Sequence, residues 1–446
     1  MIFSAPRFIV VDDKESHLQA ITRTLQLLGA PCLGVRYDGT EELKADHFRG
    51  VRCLFMDLHL IDGVASTDHR RHFANIAGML EDNISASGGP FILIVWSALQ
   101  NLGDELRDYL DEKIDAEKPH ARPLAVLSLA KERFIELDDG AITEPEALKK
   151  AVLGAVVENP QIAALLGWES DVLTAAGDTL AELLKLVPAA ERISKSYPRA
   201  LDTILSRLAR EAVGRPNVEI NHRTAITTAL APILADRVIN QKIAPETTEL
   251  WKRAVTRYNE NSLQDASRQE AGCINRMLHM AIPGSETILP TDWGAVVDVK
   301  EGIWNSDDQL RQLFDGSRSE LLEEEFKIKA ADHGKCRPCL VRIGAACDYA
   351  QKRRGPLTYL LGLEIPADLK RNSAPRAEWK SPVMLLNGEG EPFRLHVNVR
   401  FSLTRPASGC AGWTIRYRLR EQLLMLLLSH ANGYTARPGI VQLRAK

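Results

Sequence analysis

With 446 residues the chain is too long for one ordinary hydrophobic core, so two or three domains are expected. Its composition, 45% hydrophobic and 26% charged, is that of a soluble globular protein. The net charge of −3 conceals an asymmetry: residues 1–160 carry 17 Lys and Arg against 26 Asp and Glu, residues 161–326 carry 18 against 25, and residues 327–446 carry 21 against 8.

The opening MIFSAPRFIVVDDK lacks a basic stretch followed by a long apolar one and does not read as a signal peptide. The first block then alternates apolar, β-forming runs with helical patterns: RFIVV, a helix over about Glu15–Leu28, then CLGV, CLFMDL, FILIVW and PLAVLSL. This alternation predicts βα units and an α/β, doubly wound parallel sheet covered on both faces, over residues 1–140. Near Gly140 the pattern changes. Residues 141–282 offer amphipathic helices, among them Ala147–Val157 and Leu201–Val213, punctuated at Asn159-Pro160, Tyr197-Pro198 and Gly214-Arg215-Pro216. They read as a helical connector or middle domain that packs a plain core, transmits the state of the first domain, or supports a homodimer. Residues 283–446 turn to short apolar runs between Gly and Pro: CLVRIG, YLLGLEI, VMLL, FRLHVNVRF and WTIRYRL, with a late helix over Arg420–Ala431. An α+β domain with a small antiparallel sheet or barrel is predicted there. The apolar run Leu423–Leu428 is far too short to cross a bilayer, and a cytoplasmic protein with no membrane partner is expected. No repeat of fixed period and no GxxxxGK[ST] phosphate loop occurs.

A phosphoryl-transfer site that uses an aspartate needs a divalent cation, one carboxylate as nucleophile, and partners for the charge on the transferred group. In a parallel α/β sheet those groups belong at the C-terminal ends of strands. Asp12 and Asp13 end the first predicted strand, Asp57 the third, Ser97 the fourth and Lys131 the last. Carboxylate oxygens with water in the remaining positions suit Mg2+. The Lys131 ammonium can pair with phosphoryl oxygens, and the Ser97 hydroxyl can hydrogen-bond to one.

The strings FIVVDDKESH, CLFMDLHLIDG and ILIVWSA, with the strand ending at Lys131, resemble in that order the receiver domains of two-component response regulators. The resemblance covers about a third of the chain. It implies Mg2+ held by Asp12, Asp13 and Asp57, phosphoryl acceptance by Asp57, a contact by Ser97 that switches on phosphorylation, and a phosphoryl contact by Lys131. It also implies a sensor histidine kinase or other phosphodonor as partner. Receivers usually follow the last-strand lysine with proline, whereas Lys131 precedes Glu132. The true Lys-Pro pair, Lys118-Pro119, follows LDEKIDAE, which cannot make a buried strand, while LAVLSL ahead of Lys131 can.

Seven cysteines at scattered positions are an odd number, and a reducing compartment would keep them as thiols or metal ligands. HGKCRPCLVRIGAACDYAQKRRG, from His333 to Gly355, holds Cys336 and Cys339 at C-x2-C spacing. Cys347 with His333 or Asp348 would complete a tetrahedral Zn2+ set; free buried thiols, or a reactive pair of Cys347 with Asp348, are the alternatives. CDYAQ resembles a recurring element of uncharacterised bacterial proteins encoded near phage-defence and mobile-element genes, which implies a place in bacterial conflict. Further on arginines are dense, at Arg394, Arg400, Arg405, Arg416, Arg418, Arg420 and Arg437, and in FRLHVNVRF and WTIRYRLR they alternate with apolar residues. Period two puts several on one sheet face, where Arg400, Arg416 and Arg418 would meet phosphates of a nucleic acid and Trp413 or Tyr417 would stack on bases. An acidic protein surface, a solvated face, or a face paired with acids of the same chain are the alternatives.

The expectation is a phosphorylation-responsive signalling protein whose receiver controls a C-terminal output region. The competing classes are a nuclease or toxin-like effector enzyme under receiver control and an interaction scaffold with an inert receiver. No carboxylate pair with nuclease-like spacing stands out in the last third, which argues against an enzyme there.

Overall fold

The computed structural model describes residues 6–27, 29, 31–37, 43–60, 68–86, 88–96, 101–130, 133–134, 145–260, 263–284, 286–371, 375–386 and 390–437. The chain forms two compact units, residues 1–180 with 236–260, and residues 181–235 with 261–446.

The first unit is built on β1 (Phe8–Asp12), β2 (Cys32–Arg36), β3 (Cys53–Asp57), β4 (Ile92–Trp96) and β5 (Ala125–Leu129), with α1 (Glu15–Leu27), α2 (Ala45–Phe48), α3 (His69–Asn83) and α4 (Asn101–Lys113) between them. All pairings are parallel and the order is β2-β1-β3-β4-β5. The central strands FIVVD, CLFMD and ILIVW are apolar without alternation because both faces are covered. Successive residues serve opposite faces. Ile9, Val11, Leu54, Met56 and Leu93 pack with Phe73 and Ile76 of α3 and Leu106 of α4. Val10, Phe55 and Ile94 pack with Leu18 and Ile21 of α1. This parallel α/β sheet is compatible with a receiver fold.

From residue 145 to 279 the chain is mainly helical: α5 (Pro145–Val157), α6 (Pro160–Lys185), α7 (Tyr197–Val213), α8 (Arg215–Val218), α9 (His222–Asn240), α10 (Pro245–Ala254) and α11 (Arg268–His279). Leu148 and Val152 of α5 are buried in the same core as Val10 and Phe55, so α5 helps to cover the parallel sheet. Glu169 of α6 takes Arg52 at 2.8 Å and Arg7 at 2.6 Å, which ties α6 to the segments that lead into β3 and β1.

The second unit carries β6 (Met280–Ala281), β7 (Ala295–Asp298), β8 (Arg337–Ile343), β9 (Leu357–Pro366), β10 (Glu378–Lys380), β11 (Phe393–Arg405) and β12 (Ile415–Leu419) in a curled antiparallel sheet ordered β10-β11-β9-β8-β7-β12-β6. Its helices include α12 (Glu301–Trp304), α13 (Asp307–Phe314), α14 (Arg318–Glu320), α15 (Ala346–Ala350) and α16 (Glu421–Thr435). One face buries Cys339, Val341, Val397, Tyr417 and Leu419 against Leu423, Leu424 and Leu427 of α16. The other buries Leu340, Tyr359, Leu361 and Leu363 against Trp304 of α12 and Leu310 and Phe314 of α13. The run VMLL is not a strand: Met384 makes an isolated antiparallel bridge to Phe393, just after Pro382, whose missing N–H cannot extend a ladder.

Candidate functional site

From β1 the chain passes to β2 on one side and then crosses to β3 on the other. At such a reversal the loops leaving the carboxyl ends of the strands diverge and open a crevice. Asp12 is the last residue of β1, Asp13 follows it, and Asp57 is the last residue of β3. One carboxylate oxygen from each lies within 4.8 Å of the others, and this is the only such group of three ligand atoms among the described residues.

Asp12 is fully buried, while Asp13 and Asp57 are half-buried. Asp12 Oδ1 accepts the Lys14 N–H at 3.0 Å and lies 3.9 Å from His17 Nδ1. Asp13 Oδ1 is buried with no hydrogen-bond partner among the described residues. Two ionised carboxylates this close repel by roughly 3 kcal/mol at an effective dielectric of about 20. A hard divalent cation removes that repulsion and takes the orphaned oxygen, and an all-oxygen donor set open to water is what Mg2+ favours. The acidic residues therefore fit the ion that the sequence implies.

Sequence reasoning did not single out His17. It sits on the buried face of α1 with Leu18, Ile21 and Leu25, five residues after Asp12. An imidazole at an otherwise apolar helix position facing a strand-end aspartate was the available signal.

Ser97 and Lys131 lie outside the described residues. Ser97 follows Trp96, the register partner of Asp57, and Lys131 lies two positions beyond Leu129, the register partner of Trp96. Lys118 precedes a short 3-10 turn at Pro119–Ala121 and comes before β5.

The structure does not bring the three cysteines together. Cys336 and Cys339 are three positions apart on extended chain, which sends their side chains to opposite faces of the sheet. Cys336 belongs to the core against α13, and Cys339 to the core against α16. Burial pushes the Cys336 thiol up to about 11 and Cys339 higher still, so neither is a thiolate at neutral pH. Cys347 is exposed, with its Sγ 3.8 Å from Asp348 Oδ1. His333 Nε2 lies 3.6 Å from Glu323.

Arg400, Arg416 and Arg418 are paired with acids of their own unit. Arg400 meets Glu325 at 2.9 Å, Arg418 meets Glu286 at 2.9 Å, and Arg416 joins Asp298, Glu364 at 2.9 Å and the Pro338 carbonyl at 3.0 Å. Tyr417 is fully buried and Trp413 packs edge-on to Tyr359 at 4.8 Å, so these rings serve the core instead of stacking on bases. A β-bulge between Asn398 and Ser402 also breaks the period of two on which a common arginine face depends.

No family model matches the chain, and no curated protein matches it. The acidic cluster and the strand order around it are therefore the ground for a functional reading.

Proposed function

We propose that this chain is a phosphorylation-responsive signalling protein in which Asp57 accepts a phosphoryl group and the first unit governs the second. The observation that carries the reading is the convergence of Asp12, Asp13 and Asp57 within 4.8 Å at the point where the order of a parallel sheet reverses. A carboxylate oxygen of Asp57 attacks the phosphorus of a small phosphodonor or of a kinase phosphohistidine. The bond from phosphorus to the donor breaks, the leaving group departs with its electron pair, and an acyl phosphate remains on Asp57. Asp12 and Asp13 would hold Mg2+, which when bound would offset charge on the phosphoryl oxygens. Ser97 and Lys131 follow β4 and β5 in sequence and are proposed to contact the phosphoryl group. Asp12 Oδ1 is oriented by the Lys14 N–H, with His17 Nδ1 3.9 Å from the same oxygen.

Incubating the full chain with acetyl phosphate tests this. With Mg2+ present, wild type should gain one phosphoryl group by intact mass, and chelation should stop the gain. Asp57→Ala should gain none, and Asp12→Ala with Asp13→Ala should slow labelling by tenfold or more. Equal labelling of wild type and Asp57→Ala would remove the assignment.

A further inference from the structure

A cavity in the second unit is built around an unpartnered guanidinium. Arg342 of β8 is 7% exposed, its Nε is buried without a hydrogen-bond partner, and no carboxylate among the described residues forms an ion pair with it. Burial lowers its pKa. The carboxylate whose field it feels, Asp348, is engaged by Arg353 at 3.4 Å. A cation taken out of water without a partner is costly, and it points to a ligand that supplies the missing charge. The guanidinium lies over Gly344, whose φ of +146° favours glycine, and a Cβ there would come within 2.7 Å of Nη1.

The cavity is about 440 Å³, within the usual range for small-ligand sites and well above what a bare ion needs. Lys352, Arg353 and Arg354, from one turn after α15, also line it. Lys352 is held at φ 45°, a left-handed conformation that residues with a Cβ rarely adopt. The turn is fixed by the Lys352 N–H on the Tyr349 carbonyl at 3.1 Å, by the Arg353 N–H on the Asp348 carbonyl at 2.9 Å, and by Asn217 Nδ2 on the Gln351 carbonyl. Four cations thus face one carboxylate, which is already paired.

We propose that this cavity binds a terminal phosphate ester, with Arg342 as the buried fork for two phosphoryl oxygens and the turn at 352–354 as the rim. A planar guanidinium matches phosphate bidentately, and the excess of positive charge favours a dianion over a monocarboxylate. The hydroxyls of Thr291 and Thr358 on the cavity wall can donate to the remaining oxygen. The phosphate can belong to a free nucleotide or to the 5′ end of a nucleic acid.

Calorimetry on the full chain at low salt tests this with inorganic phosphate, a nucleoside triphosphate, and a short oligonucleotide with and without a 5′-phosphate. At least one phosphate-bearing probe should bind. Oligonucleotide binding that requires the 5′-phosphate assigns the nucleic-acid end, and binding of the nucleoside triphosphate alone assigns a free nucleotide. Affinity for the bound probe should fall tenfold or more in Arg342→Gln. Lys352→Gln with Arg354→Gln, both exposed, should weaken it similarly and decides the matter if the Arg342 variant does not fold. Binding by none of the probes, or binding left unchanged by both variants, overturns the proposal.

Discussion

Arg416 illustrates how burial decides what a cation can do. Only 9% of its side chain is exposed, and it is shared between Asp298 and Glu364, the latter 4% exposed. Arg416→Gln leaves Glu364 as a buried charge without its partner and should destabilise the chain by about 3–5 kcal/mol in urea unfolding. Arg400, half exposed beside Glu325, should cost under about 1 kcal/mol in the same substitution. Alternation made the arginine positions legible in the sequence. Their partners were not, because Glu325, Asp298 and Glu286 stand 75, 118 and 132 residues away and meet them only in the folded sheet. Glu378, His396 and Arg371 stand only 7 to 25 residues apart in sequence, yet they too meet only in the fold. Arg371 Nη2 meets Glu378 Oε1 at 2.6 Å, and His396 Nδ1 meets that oxygen too. Burial works to raise Glu378, yet His396 and Arg371 hold it below the usual carboxylate range. Burial holds His396 below the ordinary imidazole value against the pull of Glu378. Both folded values are lowered, so the unfolded chain binds more protons as pH falls, first at the imidazole near pH 6.5 and then at the carboxylate. The imidazole's share should be complete above about pH 7 and lost as pH falls below about 6.5, and the carboxylate's share should be lost only below about pH 4, through the lowered value of Glu378. Melting temperatures across that range should fall less steeply for Glu378→Gln with His396→Gln than for wild type.

The elements that could be read from sequence are those whose burial pattern is extreme. β1, β3 and β4 are covered on both faces and so appear as unbroken apolar runs, and their ends mark Asp12, Asp57 and the position before Ser97. β7 and β10 have four and three residues, too few for any periodicity to show. α5 reads as an amphipathic helix, but sequence cannot say which surface it covers; Leu148 and Val152 show that it is the parallel sheet. That sheet depends on β3. Phe55 is fully buried and stacks on Trp96 at 6.0 Å between centroids, so Phe55→Ala should cost about 3–5 kcal/mol and lower the melting temperature of the first unit. Because Asp57 lies two residues further along the same strand, this variant should also slow phosphoryl acceptance.

At the scale of the whole molecule, an acidic parallel α/β unit and a basic antiparallel sheet belong to one chain, with helices of residues 145–279 contributing to both. The first was legible because strand-end aspartates and apolar strands occur in register along the sequence. The second was legible only as strand-like, since its chemistry lies in long-range pairs and in a cavity around Arg342. Phosphorylation can shift the second unit only to the extent that the two states of the first contact the chain differently. Everything downstream thus rests on Asp57 being the acceptor. The most direct measurement is to treat the full chain with acetyl phosphate and Mg2+, reduce any acyl phosphate with borohydride to the corresponding alcohol, and locate the modified residue by peptide mass mapping. The account predicts conversion at position 57, lost on chelation; conversion at another residue, or at none, would contradict it.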